Sequence, residues 1–287
     1  EDGLELELSM GKALSFDGVD DKVNIGNYPA GTNPFTIELW LKPKAADNGM
    51  FLSNGLGTHY NRLFLRINND KTIYFYTDDG SGLALTSNFT VTLDEWVHIA
   101  VTRSGTTGRI FIDGVEDVSG TVKGGNLDGG RDWHIGARSD NTFPHECSIR
   151  DLRIWNIART EEDIANNMNK KLTGSESGLV HYWPMDEGSG NTIYDLAGDN
   201  DGTISGATWV APYKEQGSRI SLPLDLSSVG TVKTSEISWQ ATEPEGTSLK
   251  IETALSTDGG DTWGAWQEAT SGQAIPGITA GMDLSNA

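Results

Sequence analysis

The segment 14–25 places two short alternating runs on either side of a tight turn. Leu14 and Phe16 alternate with polar residues before the turn, and Val23 and Ile25 do so after it. Such period-two alternation is typical of strands with one buried face. The turn begins with an Asp-Gly pair, in which glycine accepts a positive φ and aspartate can bond to its own backbone. The segment therefore predicts two half-buried strands flanking a turn.

The same turn concentrates acidic side chains. Asp17, Asp20 and Asp21 put three carboxylates into five residues, and these repel one another unless water or a cation neutralises them. A hard ion with oxygen ligands, such as Ca²⁺, suits this group. A solvated turn whose acids bind nothing is the alternative, and the segment alone supports both interpretations equally.

Period-two alternation recurs along much of the chain. It is clear in residues 35–41, 63–67, 72–76, 96–102 and 149–155. The composition agrees, because 35 glycines and 36% hydrophobic residues suit many short strands joined by turns better than a helical fold. The pattern predicts an all-β sandwich or barrel.

One segment has a helical period instead. Apolar residues recur every four positions from Ile164 to Leu172, and Thr160 followed by Asp163 resembles a capping box. The sequence predicts a single short helix near 160–172, which lies on a sheet because its apolar stripe is narrow.

The charge and the single cysteine limit the possible partners and chemistry. A formal net charge of −20 argues against nucleic acid and anionic membranes as partners. No apolar run approaches the ~20 residues needed to span a bilayer, so we expect no membrane insertion. Cys147 begins a predicted strand, where a buried, inert thiol is expected. The chain begins at Glu1 rather than Met, so we take it as a mature product or an excised fragment.

An ordered set of motifs resembles the laminin-G-like, concanavalin A-like jelly-roll domains. The resemblance runs from about Lys12 to Val210 and rests on five segments in the expected order, namely 13–21, 35–40, 112–114, 150–156 and 188–195. It implies two antiparallel sheets packed face to face, with one short helix and with the first strand beside the last.

The predicted organisation has four parts. From Ala211 the composition changes, and a turn resembling a single Asp-box follows at 256–263. One such turn cannot build a propeller, so we expect a smaller β-sandwich-like unit, for which truncation is an open alternative. The predicted parts are a lead-in at 1–11, a laminin-G-like domain at 12–210, a linker at 211–218 and a small β domain at 219–287.

The resemblance also implies that the acidic turn and a closing acidic loop are neighbours. Oxygen ligands from both would then bind one structural Ca²⁺ that ties the chain ends together. Backbone carbonyls would complete its shell of about 6–8 oxygens. The predicted side-chain ligands are Asp17, Asp20, Asp21, Glu187 and Asp195, with Asp17 and Asp195 the best candidates.

Two loops carry residue types that recognise sugars. Aromatic rings stack on sugar faces, and nearby amide, carboxylate and guanidinium groups fix hydroxyls. An ordinary solvated loop is the alternative in each case. The candidates are His59, Tyr60, Asn61 and Arg62 in one loop and Arg138, Asp140, Asn141 and Phe143 in the other.

We found no catalytic signature, and three functional hypotheses remain. The leading one is a non-catalytic carbohydrate- or ligand-binding module of a larger extracellular or surface protein, stabilised by calcium. The second is a structural or adhesive module of a phage tail or cell-surface assembly, which binds a protein or a host surface. The third is a glycoside hydrolase or lyase with an unrecognised site, although the Glu-x-Asp-x-x-Glu motif of laminarinase-type relatives is missing.

Overall fold

The computed structural model describes residues 12–28, 30–55, 61–127, 130–210, 224–240 and 249–287. The chain divides into two compact units, Glu1–Lys214 and Glu215–Ala287. The predicted lead-in and linker lie outside the described residues. The predicted four-part organisation therefore stays a prediction.

The described residues of the first unit form sixteen strands and one α-helix. The strands are β1 (Ala13–Asp17), β2 (Lys22–Asn24), β3 (Phe35–Pro43), β4 (Met50–Ser53), β5 (Arg62–Ile67), β6 (Thr72–Asp78), β7 (Gly82–Thr90), β8 (Val97–Ser104), β9 (Thr107–Ile112), β10 (Val115–Thr121), β11 (His134–Ile135), β12 (Glu146–Trp155), β13 (Leu179–Trp183), β14 (Thr192–Ile193), β15 (Gly202–Ser205) and β16 (Thr208–Val210). The helix is α1 (Glu161–Asn167).

These strands form two eight-stranded antiparallel sheets. The first sheet has the order β10-β9-β8-β3-β12-β1-β16, and β13 also pairs with β12. The second sheet has the order β14-β15-β2-β11-β4-β5-β6-β7. The predicted sandwich of two antiparallel sheets with one short helix is confirmed.

Alternation along the strands builds the core. In β5, Leu63, Leu65 and Ile67 are at most 1% exposed, whereas the residues between them are partly exposed. The same pattern in both sheets creates one large apolar cluster that includes Phe35 and Phe75. Burial of this apolar surface is the main favourable term in folding.

The first strand lies beside the last one, as predicted. Leu14 of β1 pairs with Ile149 of β12 on one side, and Ala13 pairs with Val210 of β16 on the other. The first and last described strands of the first unit, β1 and β16, therefore pair directly within a single sheet. None of the described helices is both long and apolar enough to cross a membrane.

The predicted capping box of α1 is confirmed, but the helix is shorter than predicted. The hydroxyl of Thr160 accepts from the backbone N–H of Asp163, whose carboxylate in turn accepts from the backbone N–H of Thr160. The helix ends at Asn167 rather than near residue 172. Arg153 donates to the carbonyl of Asn167 at 3.0 Å, so side-chain donors satisfy carbonyls that a further helical turn would have used.

The second unit has a small core and little regular structure among its described residues. Val232, Ile278 and Leu284 form the buried cluster, and β17 (Glu252–Thr253) pairs with β18 (Gln267–Glu268). The predicted Asp-box-like turn is held by local hydrogen bonds. In this turn the carboxylate of Asp258 accepts from the Ser256 hydroxyl at 2.7 Å and from the Thr262 N–H at 2.9 Å.

Candidate functional site

One row of side chains crosses the outward side of the second sheet. His134 of β11 pairs with Asn24 of β2 and with Ser53 of β4. Ser53 pairs with Phe64 of β5, which pairs with Tyr76 of β6. Directly paired residues of a sheet lie on the same face. The row therefore brings polar groups from β2, β4 and β11 next to aromatic groups from β5 and β6.

The aromatic part of this row is a stack of three rings. The centroids of Phe64 and Tyr76 lie 4.5 Å apart with 20° between the ring planes, and Tyr74 lies 6.0 Å from Phe64. Arg62 lies over the Tyr76 ring at 5.3 Å, and Arg66 lies over the Tyr74 ring at 4.2 Å. Because the faces of Phe64 and Tyr76 cover each other, this stack presents ring edges and guanidinium groups to solvent.

A cleft of about 360 Å³ opens on the same side of the sheet. It is lined by two glycines, two charged residues, one histidine and one serine, namely Gly55, Gly130, Arg131, Asp132, His134 and Ser139. We use the name cleft face for the outward side chains of β2, β5, β6 and β11 together with the loop 130–141.

His134 is the most buried polar side chain that lines the cleft, with 7% of its surface exposed. Burial lowers the pKa of its imidazole, and the nearby Lys22 ammonium lowers it further. The ring is therefore neutral at pH 7 and offers one donor and one acceptor nitrogen. Its Nδ1 is buried without a hydrogen-bond partner among the described residues.

Among the described residues, the cleft is lined by Ser139 of the second predicted loop but by none of the eight predicted sugar-binding residues. Gly55 at the cleft wall precedes the first loop, and a Cβ atom on Gly55 would lie 2.9 Å from Cβ of Arg62. Ser139 also lines the cleft and belongs to the second loop. Lys22 fixes this loop by donating to the Ser139 carbonyl at 3.1 Å and to Oδ1 of Asn141 at 2.5 Å. His59 and Tyr60 lie outside the described residues.

The remaining predicted loop residues have defined contacts. Arg138 binds both carboxylate oxygens of Asp140, at 2.9 and 2.8 Å, and this guanidinium holds the pKa of Asp140 well below its usual range. The same guanidinium lies 5.1 Å from the centre of the Phe143 ring, which is 43% exposed. Arg62 and Asp78 form an ion pair at 3.0 Å. The charged groups of Arg62, Arg138 and Asp140 are therefore in contact with other protein side chains and not only with solvent.

Sequence reasoning missed much of this face. Phe64, Arg66, Tyr74 and Tyr76 all fall on the side of β5 and β6 opposite to the buried residues. Their period-two spacing was a usable signal. The cleft residues Arg131 and Asp132 had no such signal, because their position depends on the pairing of β11 with two strands that are distant in sequence.

The acidic turn forms a compact group of its own. Oxygen atoms of Asp17, Asp20 and Asp21 lie within 4.8 Å of one another. Oδ2 of Asp21 accepts from the backbone N–H of Asp17 at 2.9 Å, and Oδ1 of Asp17 accepts from the N–H of Val19 at 2.8 Å. Burial raises the pKa of Asp21, and the two neighbouring carboxylates raise it further. Three convergent hard oxygen donors that repel one another fit a Ca²⁺ ion.

Glu187 and Asp195 lie outside this group of carboxylates. Asp195 accepts from His181 Nδ1 at 2.6 Å and from four backbone N–H groups of β13 and its own loop. Glu187 accepts from the backbone N–H of Tyr194 at 2.8 Å. Both carboxylates are thus used to hold the closing loop.

The course of β1 explains why the two acidic regions remain apart. A Cβ atom on Gly188 would lie 3.0 Å from Cγ of Lys12, so the closing loop meets the start of β1. Asp17 stands at the other end of this strand, about 16 Å further along at the usual rise of an extended chain. The structure therefore brings together three of the five predicted ligands.

The comparisons with known proteins give the family. The model of the concanavalin A-like lectin/glucanases superfamily named Laminin_G_3 matches residues 17–165, which is more than half of the chain. The chain belongs to this superfamily. A search of curated proteins finds no match.

A solved structure shares the fold of this chain at low sequence identity. A candidate carbohydrate-binding protein from Bacteroides ovatus is 20% identical with a TM-score of 0.58, and the match covers 70% of this chain and 60% of that one. A SAP-like pentraxin from Limulus polyphemus is 14% identical with a TM-score of 0.48, and the match covers 68% and 94% of the two chains. The chain thus spans about 60% of the length of the Bacteroides protein.

Proposed function

We propose that the chain is a non-catalytic carbohydrate-binding module of a larger extracellular or surface protein, and that it binds a glycan in the cleft face. The observation that carries the proposal is the cleft of about 360 Å³, which is lined by His134, by residues of the loop 130–141 and by Gly55. Binding sites for small ligands are concave and have a few polar groups that converge on the ligand. Arg131, Asp132 and His134 are such groups here.

The residues that line the cleft match the chemistry of sugar hydroxyls. A hydroxyl can donate to the exposed carboxylate of Asp132 and accept from the guanidinium of Arg131. Membership of a lectin and glucanase superfamily supports this choice. So does the Bacteroides protein of similar fold, whose own description is a carbohydrate-binding one.

The buried acid of the first sheet does not offer a competing catalytic centre. Glu38 has no exposed surface and lies between the guanidinium groups of Arg153 and Arg159. A polymeric substrate cannot reach a carboxylate that is fully covered. This arrangement removes Glu38 as a candidate catalytic acid.

The proposal includes one structural Ca²⁺ ion at the acidic turn. Asp17, Asp20 and Asp21 would hold it together with backbone carbonyls, because Ca²⁺ takes about 6–8 oxygen ligands. An ion that binds only the folded state stabilises that state. In this role the ion fixes the turn between β1 and β2, the latter being a strand of the cleft face.

A glycan array followed by titration calorimetry tests the proposal. We expect wild-type protein to bind at least one class of polysaccharide, and we expect Asp132→Ala to weaken that binding about tenfold, since the variant loses a charged hydrogen-bond acceptor. Glu162→Ala is the matched control, because Glu162 is an exposed acid of α1 on the first sheet. Failure to bind any glycan, or equal loss in both variants, would contradict the proposal.

A further inference from the structure

The cleft face has an unusual charge for this chain. The whole protein has 21 basic and 41 acidic residues and a net charge of −20. The described residues of the cleft face reverse this balance, with more cations than carboxylates. The cations are Lys22, Arg62, Arg66, Arg131 and Arg138, and the acids are Asp78, Asp132 and Asp140.

Two of the three acids are already neutralised by cations of the same face. Asp78 is paired with Arg62, with 3.0 Å between the Arg62 Nε and a carboxylate oxygen. Asp140 receives both donors of the Arg138 fork. The third acid, Asp132, accepts from the side-chain amide of Asn24 at 2.9 Å, which does not change its charge.

Three cations of the cleft face are not balanced in this way. No carboxylate among the described residues lies within ion-pair distance of Lys22, Arg66 or Arg131. Lys22 and Arg66 bond to neutral groups instead, the first to Ser139 and Asn141 and the second to Oδ1 of Asn68 at 2.9 Å. These contacts orient the cations without cancelling their charge.

Local structure holds two of the guanidinium groups in place. Arg66 is stacked on Tyr74, and Arg62 is held between Asp78 and the Tyr76 ring. A guanidinium that is fixed before binding loses less side-chain entropy when it pairs with a carboxylate or sulfate group. Its fork geometry also matches two oxygens of such a group.

We propose that the cleft face binds an anionic glycan, in which carboxylate or sulfate groups neutralise Arg131, Arg66 and Lys22. A neutral sugar would cover these cations without supplying an opposite charge, and covering an unpaired charge is costly. The general repulsion of the acidic chain acts weakly here, because charges more than about 8–10 Å apart are screened at physiological salt. The inference rests on the proposed glycan-binding function and specifies its ligand.

The positions of the cations also specify the length of the ligand. Arg62 stands next to the cleft wall, and Arg66 lies four residues further along β5, which is about 13 Å. A monosaccharide in the cleft would not reach Arg66. We therefore expect a linear chain with repeated acidic groups to bind more tightly than its monomer.

Matched ligands with and without charge provide the test. Titration calorimetry would compare oligogalacturonate with its methyl ester for the carboxylate, and dextran sulfate with dextran for the sulfate. We expect one anionic member to bind and its neutral counterpart to bind at least tenfold more weakly. Affinity for the anionic member falls between 0.15 and 0.5 M salt, because part of it is screened.

Charge-removing variants assign the effect to the cleft face. Arg131→Gln and Arg66→Gln should each weaken anionic binding about tenfold. Lys42→Gln is the control, since it removes one partly exposed cation from β3 of the opposite sheet. Thermal melts of all three variants verify that they are folded.

The outcomes separate this inference from the function on which it rests. Equal binding of charged and neutral members, or binding that the two arginine variants leave unchanged, would overturn the anionic ligand while the glycan-binding proposal stands. Binding to none of these polymers and to nothing on a broad glycan array would overturn both. Preference for sulfate over carboxylate, or the reverse, supports the inference and identifies the acidic group.

Discussion

Nη1 of Arg159 lies 2.7 Å from Oε1 of Glu38, a carboxylate with no exposed surface in the middle of the first sheet. Trp155 donates to the same oxygen at 2.8 Å, and Arg153 approaches it to 3.7 Å. Arg153 also donates to the carbonyls of Asn167 and Lys170 at the end of α1. This buried ionic cluster therefore links the sheet to the helix that covers it.

Removal of the central acid should cost much of the stability of the first unit. Glu38→Ala leaves Arg153 and Arg159 buried without their shared carboxylate, and such a loss typically costs about 3–5 kcal/mol. We expect a lower denaturation midpoint in urea and a fluorescence change at Trp155. The exposed helix residue Glu162 provides the control, and a Glu38→Ala midpoint equal to that of Glu162→Ala would show that the cluster adds nothing.

His98 packs against this cluster and makes stability depend on pH. Burial, together with Arg153, Arg159 and Arg150, lowers the pKa of His98 to about 3. Well above pH 6.5 the His98 imidazole is neutral in the folded and in the unfolded chain. Below pH 6.5 it becomes protonated in the unfolded chain but stays neutral in the folded chain. This group therefore makes stability fall as the pH falls from 6.5 towards 3.

The burial of Glu38 acts in the opposite direction. Burial raises the pKa of Glu38 in spite of its two arginine neighbours, so the folded state binds this proton more readily than the unfolded chain. The variant His98→Gln should separate the two effects. We expect its melting temperature to fall less between pH 7 and pH 5 than that of wild type, and an equal fall in both proteins would exclude His98 as a source.

The alternation of apolar residues was enough to predict the strands, but not what covers them. Glu38 and Trp40 share the face of β3 opposite to its apolar core residues Ile37, Leu39 and Leu41, and in sequence this face looks like a solvent-facing side. The helix α1 and the residues after it cover that face, and Trp40 Nε1 donates to the Met168 carbonyl at 3.0 Å. Sequence periodicity shows which residues of a strand share a face, but it does not show which other elements pack against that face.

The candidate site was predicted in part for a similar reason. The two loops were chosen for their residue types, yet among the described residues none of the eight candidates lines the cleft, and only their neighbour Ser139 does. The ligand set of the acidic turn depended instead on which elements are neighbours. Asp195 was expected beside Asp17. In the structure the closing loop meets the start of β1, whereas Asp17 lies at the other end of this strand. Local sequence does not contain this relationship.

Cys147 should be inert in the folded protein. Its side chain is buried between the sheets, with no exposed surface, and burial raises the pKa of the thiol well above its usual value. The thiolate is the reactive form, so we expect no reaction with Ellman's reagent under native conditions and complete reaction in denaturant. Rapid native labelling would contradict the buried position.

Calcium should stabilise the first unit through Asp17, Asp20 and Asp21. Thermal melts in millimolar Ca²⁺ and in excess EDTA measure this effect, which is about 2.7 kcal/mol when the free ion is one hundred times its Kd. Asp20→Asn is the most informative variant, because Asp17 and Asp21 also accept hydrogen bonds from the backbone of the turn and their loss would disturb the turn directly.

The expected result for Asp20→Asn has opposite signs in the two buffers. In EDTA the variant should melt at or above the wild-type temperature. The carboxylates of Asp17 and Asp20 both raise the pKa of the more buried Asp21, so the variant has lost the repulsion between residues 20 and 21. In Ca²⁺ it should melt below wild type, because one ligand is lost. Asp195→Ala is the control, because Asp195 accepts five hydrogen bonds that need no ion. We expect this variant to melt at a lower temperature than wild type by the same amount in both buffers. Identical wild-type melting midpoints in the two buffers would show that the three acids belong to a solvated turn that binds no ion.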